Sequence, residues 1–141
     1  MSNTFQLNVR TPEAEIVSKE VDSVRVGTEN GPMVIYPHHA SLSGTIPFSR
    51  LFVRSGNSET EYLVKNGVLF ISVETNETKI LCYSCLETKD VEYQSAAEYL
   101  AYVEEQLKAG ANLNQFQMQF LENEKIAMVK QMKGMGKGEG A

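Results

Sequence analysis

Apolar residues keep one period up to about residue 87 and a different one beyond it. Phe5, Leu7 and Val9 alternate with polar neighbours, the two-residue repeat of a half-buried strand. Thr11-Pro12-Glu13 breaks the run and Ala14 to Val17 restart it. Val24 and Val26 alternate again before Asn30-Gly31, a hairpin signal because both residues tolerate φ > 0. Met33 to Tyr36 form a short apolar strand that Pro37 ends, having no N–H for a ladder, so His38 and His39 are presented at a rim. Further runs cover Arg50 to Arg54, Glu61 to Val64, Val68 to Val73 and Thr78 to Cys82. Turn signals at Ser55-Gly56-Asn57, Asn66-Gly67 and Asn76 separate them. Short strands at this spacing predict two sheets closing on one core, a sandwich or barrel.

Beyond Leu86 the period becomes helical. Asp90 is the expected N-cap with Glu92 in the first turn, and Ser95-Ala96-Ala97-Glu98 offers a capping box one turn later. Ala96, Tyr99, Leu100, Val103 and Leu107 share one face, and Ala109-Gly110-Ala111-Asn112 supplies a stop. A second helix from about Leu113 to Lys133 carries Phe116, Phe120, Leu121, Met128 and Met132, diluted by Gln115, Gln117 and Gln119. So short a connection predicts an antiparallel pair. The glycine-rich stretch from Gly134 to Ala141 reads as a flexible tail. The predicted class is α+β: an antiparallel β-sandwich over 1–87, an antiparallel α-helical hairpin over 88–133 and a tail over 134–141.

Composition narrows function. With 42% hydrophobic residues the chain can build a core, and a net charge of -5 argues against nucleic acid, which calls for a basic stripe. No apolar run approaches the roughly 18 residues of a spanning helix, and the start lacks secretory-signal features, so a soluble protein docked on a membrane complex is the expectation. Cys82 and Cys85 stand in Cys-Tyr-Ser-Cys, where Cys82 ends a strand-like run instead of opening a helix, so two packed thiols in a reducing compartment are expected. A thiol protein, or a zinc site joining them to His38 and His39, is the alternative. No nucleophile motif, Gly-rich phosphate loop or Ca²⁺-spaced acidic ladder occurs, and His39 has no orienting acid nearby in sequence. The chain reads as a binding module, with no catalytic residue, metal or cofactor expected; a free-standing adaptor of the same build is a second alternative.

Several runs resemble the epsilon subunit of F-type ATP synthases. The family's opening strand and break match Phe5-Gln6-Leu7-Asn8-Val9-Arg10-Thr11-Pro12-Glu13. Its Gly-acidic-Met/Leu-Gly-Ile-Leu/Tyr-Pro-Gly-His-Ala run stands here as Gly31-Pro32-Met33-Val34-Ile35-Tyr36-Pro37-His38-His39-Ala40. Its Tyr-x-Val-x-x-Gly-x-Leu pair stands as Tyr62 to Leu69, and its closing strand and helix entry resemble Thr78 to Leu81 and Lys89-Asp90-Val91. The resemblance covers residues 3 to about 108. Pro32 replaces the expected acid, and Val34 and His38 replace expected glycines.

The resemblance implies a central-stalk rotor subunit that links gamma to the c ring of a proton-driven (or sodium-driven) synthase, peripheral on the cytoplasmic face of the cell membrane. It implies a gamma interface at Tyr36, His38 and His39, and a c-ring interface at Glu29, Asn30, Gly31 and Pro32. It also implies a hairpin that extends to inhibit ATP hydrolysis, with Lys125, Lys130 and Lys133 meeting the alpha/beta catalytic head. The family's ATP-linked Ile/Leu-Asp-x-x-Arg-Ala element corresponds to Val91-Glu92-Tyr93-Gln94-Ser95-Ala96. There Ser95 removes the arginine best suited to grip phosphate.

Overall fold

The computed structural model describes the backbone of residues 3–109 and 113–139, and side chains as far as residue 134. The chain divides into two compact units, one ending at Lys89 and the other starting at Asp90.

The first unit has seven strands: β1 (Phe5–Arg10), β2 (Glu15–Val21), β3 (Ser23–Thr28), β4 (Gly31–Ile35), β5 (Leu42–Ser55), β6 (Ser58–Ser72) and β7 (Glu77–Glu87). They form one hydrogen-bonded order, β2-β1-β7-β6-β5-β3-β4. All pairs are antiparallel except β1 with β7, which runs parallel (Leu7 opposite Thr78, Val9 opposite Ile80), a departure from the all-antiparallel expectation. Parallel pairing needs a long crossover, and the whole of β2 to β6 lies between these two strands.

The two leaves arise from a phase slip in the three longest strands. Side chains facing the core fall at Ile46 and then Ser49 on β5, at Val64 and then Gly67 on β6, and at Cys82 and then Cys85 on β7. Each step is three residues where a strand's period is two, so each strand changes its inward face once. The slips share one row: the β5–β6 register passes from Ile46–Gly67 to Phe48–Lys65, and the β6–β7 register from Gly67–Cys82 to Lys65–Ser84. Pro47, which cannot donate to the ladder, and Asn66, at φ 54°, lie in the gap. Asn66-Gly67 is therefore not a turn between two strands. It is the bend at which β6 leaves one half of the sandwich for the other.

The core between the leaves includes Leu7, Val9, Val24, Ile35, Ile46, Leu51, Val64, Leu69 and Ile80, all fully buried. Ser49 and Thr78 are the polar residues buried with them among the described residues; Ser49 Oγ accepts from Gly27 N–H at 2.8 Å and donates to the Arg50 carbonyl at 2.7 Å. The β3–β4 hairpin closes at Thr28–Gly31 around Glu29-Asn30, and the positive φ falls on Gly31 (111°) instead of Asn30.

The second unit is the helical hairpin of α1 (Tyr93–Lys108) and α2 (Gln115–Glu139). Neither expected cap of α1 forms. Asp90 sits in a 3₁₀ turn, Thr88–Asp90, while Glu92 takes the N-cap position without a side-chain bond. α2 has the better start: Asn114 Oδ1 accepts from Gln117 N–H at 2.8 Å and Gln117 Oε1 accepts from Asn114 N–H at 3.0 Å, a reciprocal capping box. Ala96, Tyr99 and Val103 of α1 and Glu124 and Met128 of α2 are buried, whereas Phe116 is exposed. Tyr99 donates its hydroxyl to Glu124 Oε1 at 2.8 Å. α2 continues through residue 139, so most of the expected 134–141 tail is helix. Propagation adds a hydrogen bond per residue fixed, which opposes the roughly 1 kcal/mol penalty of each glycine. The expected stop at Gly110 to Asn112 and the last two residues lie outside the described set.

Candidate docking surface

The Tyr36–His39 corner follows β4 directly. Ile35 is fully buried and anchors the strand end, while Tyr36 is 61% exposed. His38 has φ 63°, the left-handed conformation that glycine adopts without strain. His39 N–H donates to the Tyr36 carbonyl at 3.2 Å, closing the turn. Its ring Nδ1 lies 2.7 Å from the Ala40 carbonyl. A carbonyl only accepts, so Nδ1 carries a proton. His39 and Tyr36 border a shallow recess with Phe5, Ile71, Asn76 and Thr78.

Glu29, Asn30 and Pro32 are exposed and Gly31 half-buried, at the opposite end of β4 from the histidines. Three strand residues, Met33 to Ile35, put roughly 13 Å between Pro32 and Tyr36, so the two groups form separate surfaces. Glu29 N–H donates to the Thr45 carbonyl at 3.0 Å, and Asn30 N–H to Thr28 Oγ1 at 3.2 Å, which holds the turn. Lys125, Lys130 and Lys133 are all exposed on α2. At 100° per residue they span an arc of about 140°, and Ile126 and Val129, both exposed, fall inside that arc. The lysine face is thus partly apolar, a feature missed by reading the lysines alone.

The outer faces of the two leaves differ. On the β3–β5 side the outward Phe52 is covered by Arg25 and Arg50, 4.3 and 4.8 Å from its ring centre, which pair in turn with Glu59 and Glu61. On the β6–β7 side Val68, Phe70, Leu81 and Tyr83 are 36%, 46%, 48% and 73% exposed. Val68 lies directly opposite Leu81, with Phe70 and Tyr83 two residues along the same face. Clustered apolar side chains of this kind mark an interaction surface. The signal lay in the unbroken run Val68-Leu69-Phe70-Ile71, which leaves an apolar side chain on each face of the strand.

Both cysteines are buried free thiols. Cys82 S–H points to the Arg10 carbonyl at 3.6 Å. The Cys85 thiol, hydrogen-bonded to Cys82 and desolvated, is pushed well above the usual thiol range. Among the described residues no group of three or more His, Cys, Asp or Glu could hold a metal ion, so the alternative zinc site from these cysteines, His38 and His39 is not assembled. No helix among the described residues is long and apolar enough to cross a membrane.

Comparison with known proteins agrees with this geometry. The chain is 29% identical over 105 residues to the ATP synthase epsilon chain of Bacillus thuringiensis (strain Al Hakam), covering 74% of this chain and 77% of the relative. It is 29% identical over 93 residues to the sodium ion specific ATP synthase epsilon chain of Propionigenium modestum, covering 66% of each. The fold matches a chain in the OSCP/F1/c-ring structure of the Euglena gracilis mitochondrial ATP synthase with a TM-score of 0.61 at 14% identity, over 86% of this chain and 75% of that one. Residues 4–88 match the beta-sandwich domain of the ATP synthase delta/epsilon chain, and with more than half its length in that domain the protein belongs to the delta/epsilon chain family of ATP synthase.

Proposed function

We propose that this chain is the epsilon subunit of an ATP synthase central stalk, a non-catalytic rotor part joining gamma to the c ring. The observation that carries the reading is the bare apolar face Val68–Phe70–Leu81–Tyr83 on a sandwich whose other outer face is capped by charge. Gamma covers this face and the adjoining Tyr36–His38–His39 corner. The Glu29–Pro32 turn, at the other end of β4, meets the c ring. Pro32 leaves Glu29 as the acid in that turn, so the contact relies on backbone shape and one carboxylate.

The hairpin supplies regulation. Lys125, Lys130 and Lys133, with Ile126 and Val129 among them, give α2 a face that engages the catalytic head when the hairpin extends and blocks hydrolysis. The subunit is peripheral to the membrane, on the cytoplasmic face, through the complex. The coupling ion is a proton or a sodium ion; the relative from Propionigenium modestum is sodium ion specific. Ser95 stands where the family's ATP-linked element carries a phosphate-gripping arginine, which weighs against nucleotide sensing.

Titration of the full chain against purified gamma tests the docking. Leu81→Asp and Phe70→Asp, both on exposed positions, should weaken binding at least about tenfold while leaving the circular dichroism spectrum intact. His39→Ala should weaken it less. Tight binding by both aspartate variants would sink the assignment of this face. Deletion of residues 113–141 should raise ATP hydrolysis by the assembled complex; unchanged hydrolysis would remove the inhibitory role.

A further inference from the structure

Two left-handed residues face each other across the histidine corner. His38 has φ 63° and Asn76, in the turn between β6 and β7, has φ 53°. They are bonded directly: Asn76 Oδ1 accepts from His38 N–H at 2.7 Å. The other end of the same amide donates to the Thr4 carbonyl at 2.9 Å, and the Asn76 carbonyl accepts from Gln6 N–H at 3.2 Å. One residue therefore ties the start of β1, the β6–β7 turn and the corner together. The same turn holds the far side of the corner as well, because Val73 N–H donates to Ser41 Oγ at 3.0 Å. Residues 38 to 41 are bracketed at both ends by residues 73 to 76.

Strained backbone persists only where its surroundings over-determine it, and such strain clusters at binding sites. At this corner the constraint comes from a side chain more than 35 positions away. We propose that Asn76 is the positioning residue of the docking corner: by fixing the His38 amide it holds Tyr36 and His39 in the arrangement that gamma recognises. This rests on the epsilon reading given above. Loosening the corner reduces the fraction of chains ready to bind, and the apparent affinity falls by that fraction.

Two substitutions separate positioning from support. Asn76→Gly keeps the left-handed backbone, in which glycine is unstrained, while removing both side-chain hydrogen bonds, so the gain offsets part of the loss in stability. Asn76→Asp keeps the oxygen that accepts from His38 but sets a second oxygen against the Thr4 carbonyl; it is the less stable of the two. The expected order of gamma binding is the reverse of the order of stability. Asn76→Gly should bind about tenfold more weakly than wild type, and Asn76→Asp within about threefold of it.

Hydrogen exchange of the His38 amide in the free full-length chain gives a reading that does not depend on gamma. Exchange should accelerate at least about tenfold in Asn76→Gly and stay near wild type in Asn76→Asp. Binding that tracks stability, or a His38 amide equally protected in both variants, overturns the role of Asn76 and leaves the epsilon reading standing. Failure of the wild-type chain to bind gamma overturns both.

Discussion

Replacing Tyr99 with phenylalanine should loosen the helical hairpin and leave the sandwich unaffected. The ring stays, so packing with Ala96 and Val103 along α1 is preserved; what goes is the hydroxyl that donates to Glu124 at 2.8 Å. Both partners are buried, Tyr99 at 1% exposure and Glu124 at 5%, so water does not replace the lost bond without the helices parting. A hydrogen bond to a charged acceptor is worth about 1.5–3 kcal/mol. That converts to roughly a 10- to 150-fold rise in the open fraction of the hairpin. Amide hydrogen exchange on the full chain reads this directly: amides of residues 118–131 should exchange faster by that factor, while those of β1, β6 and β7 stay at wild-type rates. Pairing the change with Glu124→Gln should return protection to within about 1 kcal/mol of wild type, because a neutral amide is far cheaper to bury than a carboxylate. Unchanged exchange in α2 after Tyr99→Phe, or a double variant as loose as the single one, would refute the view that this bond locks the hairpin.

Ser49→Ala strands the Gly27 N–H inside the core and should cost about 1–3 kcal/mol, seen as a lower urea midpoint with an unchanged m-value. Gly67→Ala would set a methyl 3.2 Å from Cys82 Cβ and 3.4 Å from the Leu81 carbonyl, both on the paired strand; a loss of about 1–3 kcal/mol should appear in thermal melts. Burial and then the charge of Glu87 hold the Tyr62 phenol above its ordinary value of 10.0. The neutral phenol is thus favoured in the fold, and the unfolded chain ionises first. The stability linked to Tyr62 is complete below pH 10 and is lost as pH rises through its folded value, so Tyr62→Phe should show a smaller drop in urea midpoint between about pH 9 and about pH 11. An equal drop in both proteins would assign the alkaline loss to other groups, Tyr102 among them.

The alternation of Phe5, Leu7 and Val9 was legible because the whole of β1 keeps one face inward. The long strands were not, and the reason is the phase slip. Val64 and Gly67 both face the core, so a rule that expects every second residue to be apolar divides β6 into two strands and reads Asn66-Gly67 as a turn. The same slip explains a spacing the alternation rule could not absorb, since Cys82 and Cys85, three apart on one strand, are both buried. At the corner, the departure visible in sequence carried structural meaning. His38 stands where the resembling family has glycine and still takes the left-handed backbone; the shape is imposed from Asn76, which sequence distance conceals. The Asn114–Gln117 capping box of α2 went unread, because Gln117 counted only as a polar residue diluting the apolar face. Glu124 could not be found either, because an acid on a helix normally reads as solvated.

The slip row has a mechanical consequence for the rotor role proposed above. Two sheets stacked through apolar side chains alone resist sliding only weakly, because methyl groups pass one another without breaking anything directional. In this sandwich the backbones of β5, β6 and β7 cross from one leaf to the other side by side. Shearing the leaves would stretch three covalent chains and unzip the ladders beside Pro47, Asn66 and Tyr83 together. Shear applied to one leaf is therefore carried to the other by the main chain, and the module resists sliding of its two leaves.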